Sequence, residues 1–295
     1  MNIAVLITVF NRKEKTIACL RSLEETHRRA GSTIKYAVYL TDDGSTDGTR
    51  EALSEQGFAF DLHILPGTGS LYWNGGMINS WQAAVDCGGY DGYLWLNNDT
   101  TVLEPFWSNL AEADAFARQT YGRGGIYVGS TRDAHTGEFS YGGFNFTNRL
   151  TLKDQFVMPD GQHFRECQCA HGNITFVSAD VVEKMGIFYD GYIHGAGDHD
   201  YTYRAWRSHF PILVMKDYAG ECENDHTFKD GNSFRGMNLR QRIAHMKSPF
   251  GYNFHNTLLF QKRNFPYRYP FVWVAGYMKC LFPGLMFRLY HLLRS

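Results

Sequence analysis

The stretch IKYAVYLTDDGSTDGT, residues 34–49, decides the fold. Its first seven residues form an apolar run that reads as a buried strand, and Thr49–Gln56 behind it reads as a helix. Between them stand three carboxylates within six residues, Asp42, Asp43 and Asp47. A helix start favours anions, so the loop could simply be a well-capped helix. Capping needs only one of Ser45, Thr46 and Asp47, which leaves Asp42 and Asp43 over. An ionised carboxylate accepts hydrogen bonds and donates none, so these two could instead receive donors such as a pyrimidine N–H or ribose hydroxyls. Both readings stand at this point.

Outward from this stretch the same alternation repeats. Ile3–Phe10 is a continuous apolar run, Lys13–Arg29 carries Ile17, Leu20 and Leu23 at helical spacing, Leu62–Leu65 reads as a strand, Gly76–Cys87 as a helix and Tyr93–Leu96 as a strand. Apolar strands joined by helices predict a parallel sheet covered on both faces. Ligands of such sheets bind beyond the carboxyl ends of the strands. Asn11-Arg12, Asp42-Asp43 and Asn97-Asn98-Asp99 all follow such an end. After about residue 122 the sequence changes to short Gly-rich and aromatic segments that read as antiparallel strands, and from Met237 onward it suits helices.

Composition narrows the function. With 29 Lys and Arg against 30 Asp and Glu, the net charge of −1 gives no general attraction to nucleic acid, so recognition is local. Six cysteines without a CxxC pair suit reduced thiols in the cytoplasm, and no basic leader precedes Ile3. Tyr269–Phe287 is apolar and aromatic but broken by Pro270, Lys279 and Pro283. It suits a helix lying in the plane of a membrane surface or, equally, one packed on the main domain.

Two further clusters carry chemistry. In LWLNNDT, residues 94–100, strand alternation puts Asn97 and Asp99 on one side and Asn98 on the other. A carboxylate and an amide oxygen suit Mg2+ or Mn2+ carried on a diphosphate, or form no more than an Asx turn. In GAGDHDYTYRAW, residues 195–206, Asp198 and Asp200 open an amphipathic helix, as N-caps or as a base, with Arg204 spaced for a helical ion pair to Asp200. In YWNGGMINSW, residues 72–81, Asn74-Gly75-Gly76 either presents backbone N–H groups to a nucleotide ahead of a helix or makes a tight turn that buries Trp73 and Trp81.

TVFNR (8–12), DDGSTDGT (42–49), YWNGGMINSW, LNNDT (96–100) and GDHDYTYR (197–204), in this order, resemble the family 2 glycosyltransferases, closest to bacterial rhamnosyltransferase-like members that build surface polysaccharides. The resemblance covers roughly residues 1–230. It implies an α/β A-type glycosyltransferase fold, Rossmann-like with a mostly parallel central sheet. Residues 1–100 would be the nucleotide-binding half, 101–230 the acceptor half and 231–295 a helical C-terminal extension. Thr8, Phe10, Asn11 and Arg12 would border the nucleotide, Asp42 would receive the base with Asp43 beside it, and Asn97-Asn98-Asp99 would match Asp-x-Asp, with Asp99 on the metal. Asp198 would be the base of Glu-Asp-x-Asp. His226 is a candidate metal or diphosphate contact, and His194, His199 and Asp200 are candidate acceptor contacts. Asn97 replaces the first acid of the metal motif, and Gly197 replaces the Glu before the base.

The implied reaction is inverting sugar transfer from a nucleotide diphosphate sugar to a glycan acceptor, aided by Mn2+ or Mg2+, in the cytoplasm or at the inner face of its membrane if the acceptor is lipid-linked. A nucleotidyltransferase would share the sheet and the acids, but Arg12, Lys13 and Lys15 lack the Gly-rich spacing of a triphosphate loop. A non-catalytic sugar-binding protein on this fold is the other alternative.

Overall fold

The computed structural model describes residues 1–224, 231–286 and 288. The first strand, β1 (Asn2–Val9), leads through α1 (Lys13–Arg29) to β2 (Lys35–Asp42), then through α2 (Thr49–Glu55) to β3 (Asp61–Pro66) and through α3 (Tyr72–Cys87) to β4 (Gly92–Leu96). These four strands are parallel, in the order β3-β2-β1-β4. The register Val9↔Asp42 sets the loop after β1 beside the acid loop after β2.

The fully apolar strands fold this way because both faces of the sheet are covered. Alternation sends Ile3, Val5 and Ile7 into one core with Leu20 and Leu23 of α1, and Ala4 and Leu6 into the other with Met77 and Trp81 of α3. All nine are at 0% exposure, and each large aliphatic among them contributes about 1.5–3 kcal/mol on burial.

The second half extends the sheet with strands of both directions. In chain order come β5 (Thr101–Val102), α4 (Pro105–Tyr121), β6 (Ile126–Arg132), β7 (Phe139–Tyr141), β8 (Gly143–Asn148), β9 (Lys153–Phe156), β10 (Arg165–Glu166), β11 (Cys169–Ala170), β12 (Ile174–Ser178), α5 (Ala179–Met185), α6 (Gly197–Arg207) and β13 (Ile212–Glu221). β12 runs against β4, with Ile174 opposite Leu96, and against β6, whereas β13 runs parallel to β6. The full order is β10-β13-β6-β12-β4-β1-β2-β3. The start of β12 therefore meets the carboxyl end of β4. A smaller antiparallel sheet, β11-β8-β9, stands apart.

The C-terminal segment contributes α7 (Gly231–Gly236), α8 (Leu239–Lys247), α9 (Phe254–Asn264) and α10 (Tyr269–Leu281). α9 packs against α6, where Phe260 and Phe265 join Tyr192 and Tyr203 in one apolar cluster.

One helix start differs from its sequence reading. α3 begins at Tyr72 rather than Gly76. Its first turn carries no local side-chain cap, and Asp43, distant in sequence, accepts the N–H groups of Leu71 and Tyr72 at 2.8 and 3.1 Å.

Candidate active site

The acid loop divides its labour. Asp47, one position before the N-cap Gly48 of α2, serves the helix start: it accepts the N–H and hydroxyl of Thr49 and the N–H of Lys13, and the Thr49 bond leads in holding its carboxyl below the usual carboxylate range. Asp43, expected beside the base or ribose, is buried and accepts from Thr68, Gly69, Leu71 and Tyr72, four backbone N–H groups that wrap the β3–α3 loop around it. It builds the wall of the site. Asp42 uses Oδ1 for the Ser45 N–H at 2.9 Å, and among the described residues no donor is bonded to Oδ2.

Around it, Asn11, at φ +50°, accepts the Thr46 N–H at 2.7 Å and donates its own N–H to Ser45 Oγ, so its side chain ties the two loops together. Phe10 beside it is 53% exposed. Thr8 faces α3, and a Cβ on Gly76 would fall 2.0 Å from Thr8 Oγ1. Gly76 thus lets α3 approach β1. Asn74, Gly75 and Gly76 lie inside the helix, so the expected loop of N–H groups ahead of it does not form. Asn74 is fully buried and donates to the Tyr189 carbonyl.

At the end of β4 the three residues part as alternation predicts. Asn98 turns away and donates to Thr16 Oγ1 at 3.0 Å. Asn97 Oδ1 accepts Trp73 Nε1–H at 2.8 Å, and Asp99 pairs with Arg12 at 2.5 Å.

α6 brings Asp198 to the same place. The N–H of Gly172, just before β12, holds Asp198 Oδ2 at 2.9 Å, while the Asn173 carbonyl accepts the Asn97 N–H at 2.9 Å. The ring of Trp73 fills the space beside Gly172. Asp198 is 8% exposed and opens into a cavity of about 610 Å3 that Trp73, Asn97, His194 and His199 also line. Burial lowers the His194 pKa, with the Arg12 charge adding to the effect and Asp198 opposing it.

Gly197 has a physical reason. A Cβ there would lie 2.0 Å from Asn74 Oδ1, so the Glu of the family pattern has no room.

Asp200 is corrected by its surroundings. Expected at the acceptor, it is 1% exposed and binds Arg204 Nε at 2.9 Å, Arg263 Nε at 3.1 Å and Asn264 Nδ2 at 2.7 Å. It fastens α9 to α6. His226 lies outside the described residues.

A divalent cation fits only as cargo of a diphosphate. Among the described residues no group of three or more His, Cys, Asp or Glu gathers, and Asn97 Oδ1 is engaged by Trp73. Asp99 offers one carboxylate. A cation carried by a diphosphate requires only one or two from the protein.

A larger cavity, about 840 Å3, opens near His27, Lys35 and Phe60. Lys35 starts β2, so this cavity faces the amino ends of the strands, away from the acids.

The mostly parallel sheet, with its polar clusters gathered at the carboxyl ends and helices at the C-terminus, is the A-type glycosyltransferase fold, and the protein is a glycosyltransferase. The sequence pattern of glycosyl transferase family 2 matches residues 4–170, more than half of the chain, and the chain belongs to that family. S. aureus TarS 1–349 in complex with UDP-GlcNAc is similar at TM-score 0.55 and 13% identity, over 95% of this chain and 80% of that one. The mannosyltransferase PcManGT from Pyrobaculum calidifontis, in complex with GDP-Man and Mn2+, is similar at 0.54 and 16%, over 99% and 82%. GalNAc-T7 with UDP, GalNAc and Mn2+ reaches 0.57 at 13%, over 75% and 43%. At these identities the likeness concerns the fold. No curated protein matches the chain.

Sequence reasoning read Trp73 only as a core residue, and it missed Gly172 and the C-terminal wall of the cavity, including Phe250 and Gln261. Positive φ at Asn11, Tyr72 and Ala196, non-glycine residues at three edges of the site, was a signal open only to the structure.

Proposed function

We propose that the protein moves a sugar from a nucleotide diphosphate sugar to an acceptor hydroxyl with inversion at the anomeric carbon, in the building of a bacterial surface polysaccharide. One observation carries this reading: Asp198, held by the Gly172 N–H, opens into the cavity that Asn97 also lines, near the Arg12–Asp99 pair. Asp198 takes the acceptor hydroxyl proton as that oxygen attacks the anomeric carbon. The bond from that carbon to the diphosphate oxygen breaks, and its electron pair leaves with the diphosphate. Arg12 sets a positive charge beside the leaving group, and Asp42 Oδ2 is the acceptor left for a base N–H. Mg2+ or Mn2+, when carried in on the donor and held by Asp99, would supply further neutralisation of diphosphate charge.

Family membership favours glycosyl over nucleotidyl transfer. Release of nucleoside diphosphate from a sugar nucleotide is the expected result; pyrophosphate release from a triphosphate would replace this reading. Asp198→Asn, a near-isosteric change, should retain the fold and lose about two to four powers of ten in turnover. Turnover like that of the unaltered protein would remove Asp198 from the role of base.

The acceptor partner is a glycan, and a lipid-linked one fits the surface of α10. There Phe271 is 74% exposed, Leu281 53% and Leu285, just beyond the helix, 55%. No helix among the described residues is long and apolar enough to cross a membrane, so contact would be peripheral.

A further inference from the structure

We infer that the C-terminal segment around Phe250–Gln261, outside the family match, forms the subsite for the acceptor, and that this subsite takes an uncharged sugar ring; the assignment rests on the sugar-transfer reading above. This segment closes the cavity that holds Asp198. It is joined to the site, not merely near it. Asn256 Oδ1 accepts the Ile193 N–H, and its Nδ2 donates to the carbonyls of His194 and Gly195, both at 2.9 Å. The loop that presents His194 is therefore held in place from α9.

Two features of the segment point to a ligand. Phe250 is 75% exposed, yet its ring sits 5.6 Å from Tyr72 and 5.3 Å from His194, centroid to centroid. An aromatic ring that packs on two others and is still largely exposed suits the apolar C–H face of a sugar. Gln261, 6% exposed, also lines the cavity, and its buried Oε1 accepts no hydrogen bond among the described residues. His194 Nδ1 and His199 Nε2, on two other cavity-lining residues, are buried and make no hydrogen bond among the described residues, His199 Nε2 standing 4.0 Å from Asp198 Oδ2. Buried polar atoms are ordinarily paired, so three unpaired ones around one cavity are places for ligand hydroxyls.

Charge selects the kind of sugar. The described lining contains the Asp198 carboxylate and neither Lys nor Arg. A uronate or a sugar phosphate would bring an anion to Asp198 with no fixed cation in the lining to meet it. A neutral ring meets hydroxyl acceptors and aromatic faces alone.

The test is a binding panel of methyl glycosides of neutral hexoses, 6-deoxyhexoses and N-acetylhexosamines against methyl uronates and hexose phosphates, read by saturation-transfer NMR and titration on the full chain. At least one neutral glycoside should bind, and Gln261→Leu should weaken it about tenfold. Phe250→Ala, at a position too exposed to decide folding, should weaken it about fivefold, and Phe250→Tyr should restore it. Binding of charged members only, neutral binding indifferent to both variants, or no glycoside bound at all would each overturn the inference. Nucleotide-sugar turnover is scored separately: its absence beside intact glycoside binding would sink the sugar-transfer reading and leave a neutral-sugar site that is not an acceptor subsite.

Discussion

At the residue scale, the position before Asp198 shows how one contact sets what a motif can contain. Gly197 and Asn74 share space that admits one side chain, with the missing Cβ placed 2.0 Å from Asn74 Oδ1. Gly197→Glu, which would restore the family pattern, should destabilise the protein by about 1–3 kcal/mol through overpacking. Asn74→Gly in the same chain should recover part of the loss. Thermal denaturation of the single and double variants decides it, and additive losses would show that the two positions do not collide. His194 makes a second residue-scale prediction. Burial and Arg12 lower its pKa below the ordinary 6.5, so the unfolded chain binds the extra proton first. The stability it contributes is whole above about pH 6.5 and is lost as pH falls through the lowered folded value. Urea midpoints should fall between about pH 7 and pH 5, and His194→Asn should make that fall shallower. An unchanged slope in the variant would assign the pH dependence to other groups.

At the scale of elements, helices and strands were legible where a period carried them. The apolar runs of β1, β2 and β4, with helical spacing between, announced a parallel sheet and so pointed to its carboxyl ends. What escaped reading was every feature made by distant contacts. The start of α3 depends on Asp43, whose bond to the Tyr72 N–H spans 29 residues, and no local capping residue marks it. Asp200 looked like a site residue because it stands two positions after Asp198, but its partners Arg263 and Asn264 lie 63 and 64 residues away. Asp200→Asn should strip two guanidinium groups of their buried partner and cost about 3–5 kcal/mol. Proteolysis should then cut first in the turn at residues 248–253, where α9 is entered; cutting elsewhere first would mean that Asp200 does not hold this joint. The face of α10 admits a different test. Phe271→Ser with Leu285→Ser, both exposed, should leave the melting temperature within a few degrees. Sedimentation with anionic liposomes should fall if this face lies on a membrane, and equal sedimentation of the two proteins would refute the contact.

At the scale of the whole molecule, the candidate site exists because one strand, β12, lies reversed between β4 and β6. β1 and β4 deliver Arg12, Asn97 and Asp99 from their carboxyl ends, and β12, reversed beside β4, presents Gly172 from its beginning to grip Asp198. The acids, and antiparallel strands after about residue 122, could be read from the sequence, but which strand lies reversed beside β4 could not, since nothing local in Ile174–Ser178 names its neighbour. This arrangement carries a prediction about metal. The protein offers a diphosphate-borne cation one carboxylate, and Arg12 already holds that group. On the proposed reading, cation or nucleotide alone should bind weakly, whereas together they would share Asp99, the diphosphate and the pocket at Asp42. Ligand at about 100 times its Kd stabilises a fold by about 2.7 kcal/mol, which in a chain of this size raises the melting temperature by several degrees. Nucleoside diphosphate with Mn2+ should give such a shift, Mn2+ alone little, and nucleotide with a chelator clearly less than the pair. Asp99→Ala should remove the excess that the pair shows over its members. If nucleotide with a chelator matches nucleotide with Mn2+, Arg12 serves the diphosphate without a metal, and the cation leaves the proposed mechanism, whose proposed base, Asp198, this measurement does not touch.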